Sequence, residues 1–121
     1  MREILFRGQD VKGKWHTGLL AHIGNAWYVS NKAGSPTAIE AIPRTIGQYT
    51  GLTDKNRTKI FEGDIVLIKN DDDYYTVEFD ECCFQVFSDS VCYVMDNFYE
   101  RDIEIIGNKF DNPELLRSHT E

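Results

Sequence analysis

Long apolar runs are missing from this 121-residue chain. No segment approaches the roughly 20 apolar residues a membrane-spanning helix needs. The opening Met1-Arg2-Glu3-Ile4-Leu5-Phe6-Arg7 is too short and too charged to be expected as a secretory signal. A cytoplasmic location is therefore expected, with no membrane partner. Cysteine is scarce: Cys82, Cys83 and Cys92 are an odd count, and two of them are neighbours. Adjacent residues rarely meet the Cα separation and dihedral of a disulfide, so reduced thiols on strands are expected, as in a reducing compartment. Only 3 prolines and 9 glycines occur, which excludes a fibrous or low-complexity chain.

Several chemical signatures are also absent. No CxxC or HExxH spacing offers a zinc site. His16 and His22 lie six residues apart, roughly 20 Å along a strand, and Cys82 and Cys83 point to opposite faces. Asp71-Asp72-Asp73 lacks the spaced oxygens and closing Glu of a calcium loop and reads as a solvated turn. No GxSxG is present, and no glycine-rich loop leads from a strand into a helix to cradle a phosphate. No catalytic residue, metal or cofactor is expected, and the chain is not expected to be an enzyme.

Basic charge is in short supply as well. Thirteen Lys and Arg face 20 Asp and Glu, for a net charge of −7. Such a surface repels phosphates, so nucleic acid is not the expected partner. The basic residues cluster once, at Lys55, Arg57 and Lys59 with Arg44 nearby in sequence, and Asp54 and Glu62 flank that cluster. Tyr49 is close by, and cations interleaved with aromatics can hold single strands. A nucleic-acid-binding module is thus the alternative reading.

What the chain does have is a folding composition: 41% apolar residues, with 7 Phe, 6 Tyr and 2 Trp. Glu3–Arg7 reads as a strand. Trp15, Leu19, Ala21 and Ile23 then alternate with His16, Gly18 and His22, which predicts a strand with the odd positions on its buried face. Gly24-Asn25 predicts a hairpin into Ala26–Ser30. Thr37–Ile42 and Thr45–Thr50 are further strands around Pro43. Lys59–Ile68 reads as one strand, central and covered on both faces, since Ile65-Val66-Leu67-Ile68 is apolar throughout. Tyr75, Val77 and Phe79 alternate with Thr76, Glu78 and Asp80. Cys82–Phe87, Val91–Met95 and Ile103–Ile106 complete the set. Asn112-Pro113 predicts a helix start, with Asn as cap and Pro in the first turn. No βαβ spacing occurs, so the fold is all-β and antiparallel. The five strands from about residue 59 to 107 suit an SH3-like or OB-like barrel.

At the Glu62-Gly63-Asp64 turn, two carboxylates could hold a cation or a partner's arginine. The favoured reading is structural: Gly63 permits the turn and Asp64 bonds nearby N–H groups.

The stretch Ile46-Gly47-Gln48-Tyr49-Thr50-Gly51-Leu52-Thr53-Asp54-Lys55-Asn56, followed by Ile60-Phe61-Glu62-Gly63-Asp64-Ile65-Val66, resembles the central pattern of the YopX family. Phe6-Arg7-Gly8 with Gly13-Lys14-Trp15 resembles the family's N-terminal pattern. Ile103 to Asn108 and Asp111-Asn112-Pro113-Glu114-Leu115-Leu116 resemble its C-terminal one. The resemblance covers nearly the whole chain. It implies a small phage or prophage protein of bacteria, with an N-terminal β region joined to a C-terminal SH3-like barrel, and it implies no activity. Two positions depart from the pattern. Arg57 stands where the family usually has Gly after the Asn of the central turn, which suggests that the turn differs or that Asn56 alone is left-handed. His16-Thr17 stands where an aromatic is more common.

The expected organisation is an N-terminal β region over residues 1–44 and an SH3-like five-stranded barrel with a short C-terminal helical turn over 45–121. The N-terminal region is small for independent stability and is expected to form a homo-oligomer, with a host or phage protein as a further partner. Trp15, Trp27, Tyr49, Lys55, Arg57 and Lys59 are the candidate interaction residues.

Overall fold

The structure, a computed structural model, describes residues 3–30, 38–80, 83–88 and 91–119. Cys82, the loop 31–36 and most of the turn 88–90 lie outside the described residues. The chain divides into two compact units, Met1–Gly51 and Leu52–Glu121. Among the described residues it is all-β, with two antiparallel sheets and one short helix, as the period-2 alternation predicts.

The first unit contains β1 (Phe6–Gln9), β2 (Trp15–Ile23), β3 (Ala26–Ser30), β4 (Ala38–Ala41), a 3₁₀ turn at Pro43–Thr45 and the first part of β5 (Gly47–Thr53), in the order β4-β3-β2-β1-β5. Gly24-Asn25 makes the predicted hairpin between β2 and β3, with Gly24 at φ +63°. Gly8 is required by close packing, because a Cβ there would lie 2.9 Å from the Ala41 Cβ and 3.3 Å from the Ile46 Cγ1. Thr45 ties the 3₁₀ turn to β1: its buried hydroxyl accepts the Gln9 N–H at 2.9 Å and donates to the Ile42 carbonyl.

The second unit holds β6 (Lys59–Phe61), β7 (Asp64–Ile68), β8 (Tyr74–Asp80), β9 (Cys83–Phe87), β10 (Cys92–Val94), 3₁₀ turns at Met95–Asn97 and Glu100–Asp102, β11 (Ile103–Asn108) and α1 (Pro113–His119). Its sheet runs β10-β9-β8-β7-β11, so the last strand returns beside β7. The expected single strand over 59–68 is two strands. Gly63 at φ +96° breaks it, and the buried Asp64 carboxylate accepts the Phe61 N–H at 2.8 Å. The β7 half is central, as its apolar run predicts. Ile60, Val66, Ile68, Tyr75, Val77, Phe84, Val86, Met95 and Ile103 form one continuous core.

A bulge between Ile105 and Gly107 bends β11. Gly107 lies under Asn112, whose side chain accepts the Asn108 N–H at 3.2 Å and would meet any Cβ at 107. The C-terminal segment is anchored further by the Lys109 ammonium, 3.2 Å from Glu78 on β8.

Candidate interaction surfaces

The hairpin β2–β3 places its side chains by register. Leu19 pairs with Ser30, Ala21 with Tyr28 and Ile23 with Ala26, so these residues share one face. Leu19 is 43% exposed and Ile23 66% exposed, and Ala21 is exposed as well. The expectation that the odd positions of β2 are buried is therefore reversed within the unit. The buried face carries Gly8, Gly18, Val29 and Ala41 instead. Alternation showed that two faces exist, but apolar character alone pointed to the wrong one as inner.

The two tryptophans lie on opposite faces. Trp15 belongs with Leu19 and is half-buried under the Arg7 guanidinium, 4.6 Å from the ring centroid. Trp27 pairs with His22 on the other face, the two rings stacked at 4.1 Å and 6°. Tyr49 on β5 is buried, and its N–H donates to the Leu5 carbonyl, so it offers no open ring to a partner. The two histidines that are too far apart for one metal are separately engaged. His16 Nε2 lies 2.9 Å from Asp10 Oδ2. That bond holds the Asp10 carboxyl below its ordinary range, helped by the N–H groups of Lys14 and Lys12 against a smaller opposing effect of burial.

In the second unit the basic cluster surrounds a buried acid. Asp54 accepts N–H bonds from Asn56 and Thr58 through one oxygen and from Ile105 on β11 through the other, all at 2.9–3.0 Å. Burial alone would raise its pKa, but these three bonds and the Lys55 charge outweigh it and hold the carboxyl below its ordinary value. Lys55 is exposed and paired with Glu104 at 3.2 Å. Arg57 is exposed and itself left-handed at φ +65°, whereas Asn56 is not. Of the two alternatives that the departure at 57 leaves, a left-handed Asn56 alone is not the one found. Lys59 is exposed on β6.

The fold adds two cations that sequence distance hid. Lys69 and Arg101 join Lys55 around a cavity of about 390 Å³ also lined by Leu67, Ile68, Asp71, Asp102 and Glu104. Three carboxylates balance three cations there, so the cavity carries no net attraction for an anion. Asp71 is committed to its own loop: Oδ1 accepts the Asp73 N–H and Oδ2 the Tyr75 hydroxyl at 2.7 Å. Burial in the core, followed by that bond, raises the Tyr75 pKa far above the ordinary phenol value. Among the described residues no cluster of His, Cys, Asp or Glu has metal-site geometry, and no helix is long and apolar enough to cross a membrane.

The family model described as "YopX protein" matches residues 11–117. The chain belongs to the YopX family. No curated protein matches this YopX chain. Among solved structures, its fold is similar to the crystal structure of protein EF1440 from Enterococcus faecalis, with a TM-score of 0.62 and 24% identity over 96% of this chain and 99% of that one. At that identity the likeness speaks for a shared fold.

Proposed function

We propose that this YopX protein is a non-enzymatic interaction module of phage or prophage origin that self-associates in the bacterial cytoplasm through the outer face of its first sheet. The observation that carries the reading is the exposed cluster of Leu19, Ala21 and Ile23 on one face, with the half-buried Tyr28 beside them in register. A second copy is the simplest cover, because a two-fold axis sets the same patch against itself. The second unit is read as an SH3-like barrel. Five short antiparallel strands, a 3₁₀ turn before the last, and the return of that last strand beside the first support this. Nucleic acid is the poorer occupant: Lys55 is already paired and the net charge is −7.

Light scattering at micromolar concentration tests the proposal. A mass of at least twice the 14.0 kDa monomer is expected, falling to the monomer in Leu19→Lys/Ile23→Lys. A wild-type monomer overturns it. Labelled oligonucleotides at about 150 mM salt are expected to bind no more tightly than roughly 10⁻⁴ M.

A further inference from the structure

The cavity of about 390 Å³ lined by Lys55 lies wholly within the second unit and is independent of self-association. Its walls are stitched together through the backbone. The Lys69 N–H donates to the Asp102 carbonyl and the Lys55 N–H to the Ile103 carbonyl, both at 2.8 Å, and Glu104 pairs in register with Leu67. The charged groups there divide into two sets. Lys55 and Glu104 neutralise each other at 3.2 Å, and both oxygens of Asp71 accept bonds from the protein itself. Lys69, Arg101 and Asp102 are different. Among the described residues, neither of these cations pairs with a carboxylate, and the Asp102 carboxylate accepts no hydrogen bond. The Arg101 guanidinium is held 4.4 Å over the Tyr99 ring, a contact that leaves its N–H groups to bond elsewhere.

We propose that this cavity binds a free α-amino acid with an aliphatic side chain. The uncommitted charges select a zwitterion. Arg101, with Lys69 lining the same cavity, takes the carboxylate through charge-assisted N–H bonds. Asp102, the next residue of the same turn, takes the ammonium. Leu67 and Ile68 give the cavity its apolar lining, against which the side chain rests. A simple anion or cation gains little, because the lining's three cations and three carboxylates cancel. A zwitterion is neutral as a whole and uses both signs at once. The volume, about 390 Å³, falls in the range of small-molecule pockets.

The test is an amide NMR titration with L-leucine, and with N-acetyl-leucine and leucinamide, which lack the ammonium and the carboxylate in turn. Saturable binding of leucine is expected, with shifts centred on Ile68, Lys69 and Asp102. Each blocked analogue is expected to bind at least several-fold more weakly. Glycine is expected to do so as well, since it has no side chain to rest on the apolar lining. Arg101→Gln is expected to weaken leucine binding about tenfold, Asp102→Asn about fivefold and Lys69→Met about threefold. Circular dichroism checks that each variant is folded. Four results each overturn the proposal: no saturable binding at about 10 mM leucine, equal binding of glycine or of either blocked analogue, shifts centred away from the cavity, or unchanged binding by folded Arg101→Gln and Asp102→Asn. Leu19→Lys/Ile23→Lys is expected to bind leucine normally, so this result and the self-association result are read separately.

Discussion

The two units of this YopX protein bury apolar surface in opposite ways. The second closes nine buried apolar residues into one cluster, with Leu52, Phe98 and Ile105 packed against it. In the first, Val29, Ala41 and Tyr49 are the buried apolar residues among those described, while Leu19 and Ile23 stay open. Buried apolar area is the main stabilising term, so the second unit is expected to be the more stable of the two. The first keeps apolar area in reserve. The difference teaches that a sheet's alternation describes a balance between two faces, and the balance is completed either inside the chain or by another molecule.

The largest expected effect tests that contrast directly. Ile60→Ala, in the middle of the second core, is expected to destabilise its unit by about 3–4 kcal/mol, against about 2 kcal/mol for Val29→Ala in the first. Amide exchange read strand by strand measures both. Exchange as slow in β2 and β3 as in β7 and β8, at concentrations where the protein is monomeric, would break the comparison.

Asp54→Ala comes next, at about 3 kcal/mol, because it strands three backbone N–H groups that one buried carboxylate now satisfies. The same group sets a pH dependence. Its folded pKa is lowered, so its stabilisation is present above the unfolded value of about 4 and is lost as pH falls through the lower folded value. Chemical denaturation at a series of acidic pH values is expected to show a shallower acid limb in Asp54→Asn than in the wild type. An identical limb refutes the assignment.

Arg57→Gly is expected to act in the other direction. Releasing a left-handed arginine stabilises by about 1 kcal/mol, visible as a higher denaturant midpoint with an unchanged slope. The smallest stability effect belongs to Leu19→Lys/Ile23→Lys, within about 0.5 kcal/mol of wild type for the monomer, although the pair is expected to abolish self-association. A large loss of stability there would show that the open face is structural after all.

Much of this architecture is readable in the residues. Gly24-Asn25 marks its hairpin, the apolar run Ile65–Ile68 marks a central strand, and Asn112-Pro113 marks the start of α1, because each signal is local. What fails is what depends on distant neighbours. The turn at Gly63 and the N–H bond of Asp64 are legible locally and are found, but the reading of Lys59–Ile68 as one strand missed that this turn divides it in two. Trp15 and Trp27 look alike in sequence and lie on opposite faces, since their sides are set by register with different strands. Lys69 and Arg101 come beside Lys55 only through the fold, and no spacing rule links residues so far apart. The buried acid at 54 lies among charged turn residues and looks like one of them, because its partner Ile105 is on the last strand.

That carboxylate also imposes an order on synthesis. Its bonds to Asn56 and Thr58 span two and four residues, while its bond to Ile105 spans 51. The first two can form soon after the turn leaves the ribosome. The third waits for β11, which is made last in the sheet yet lies against β7, its first strand. A nascent chain paused before Ile103 therefore exposes a bare β7 edge and a half-used carboxylate. In such a chain β7, β8 and β9 are open to capture by a chaperone or by another copy until the final strand arrives.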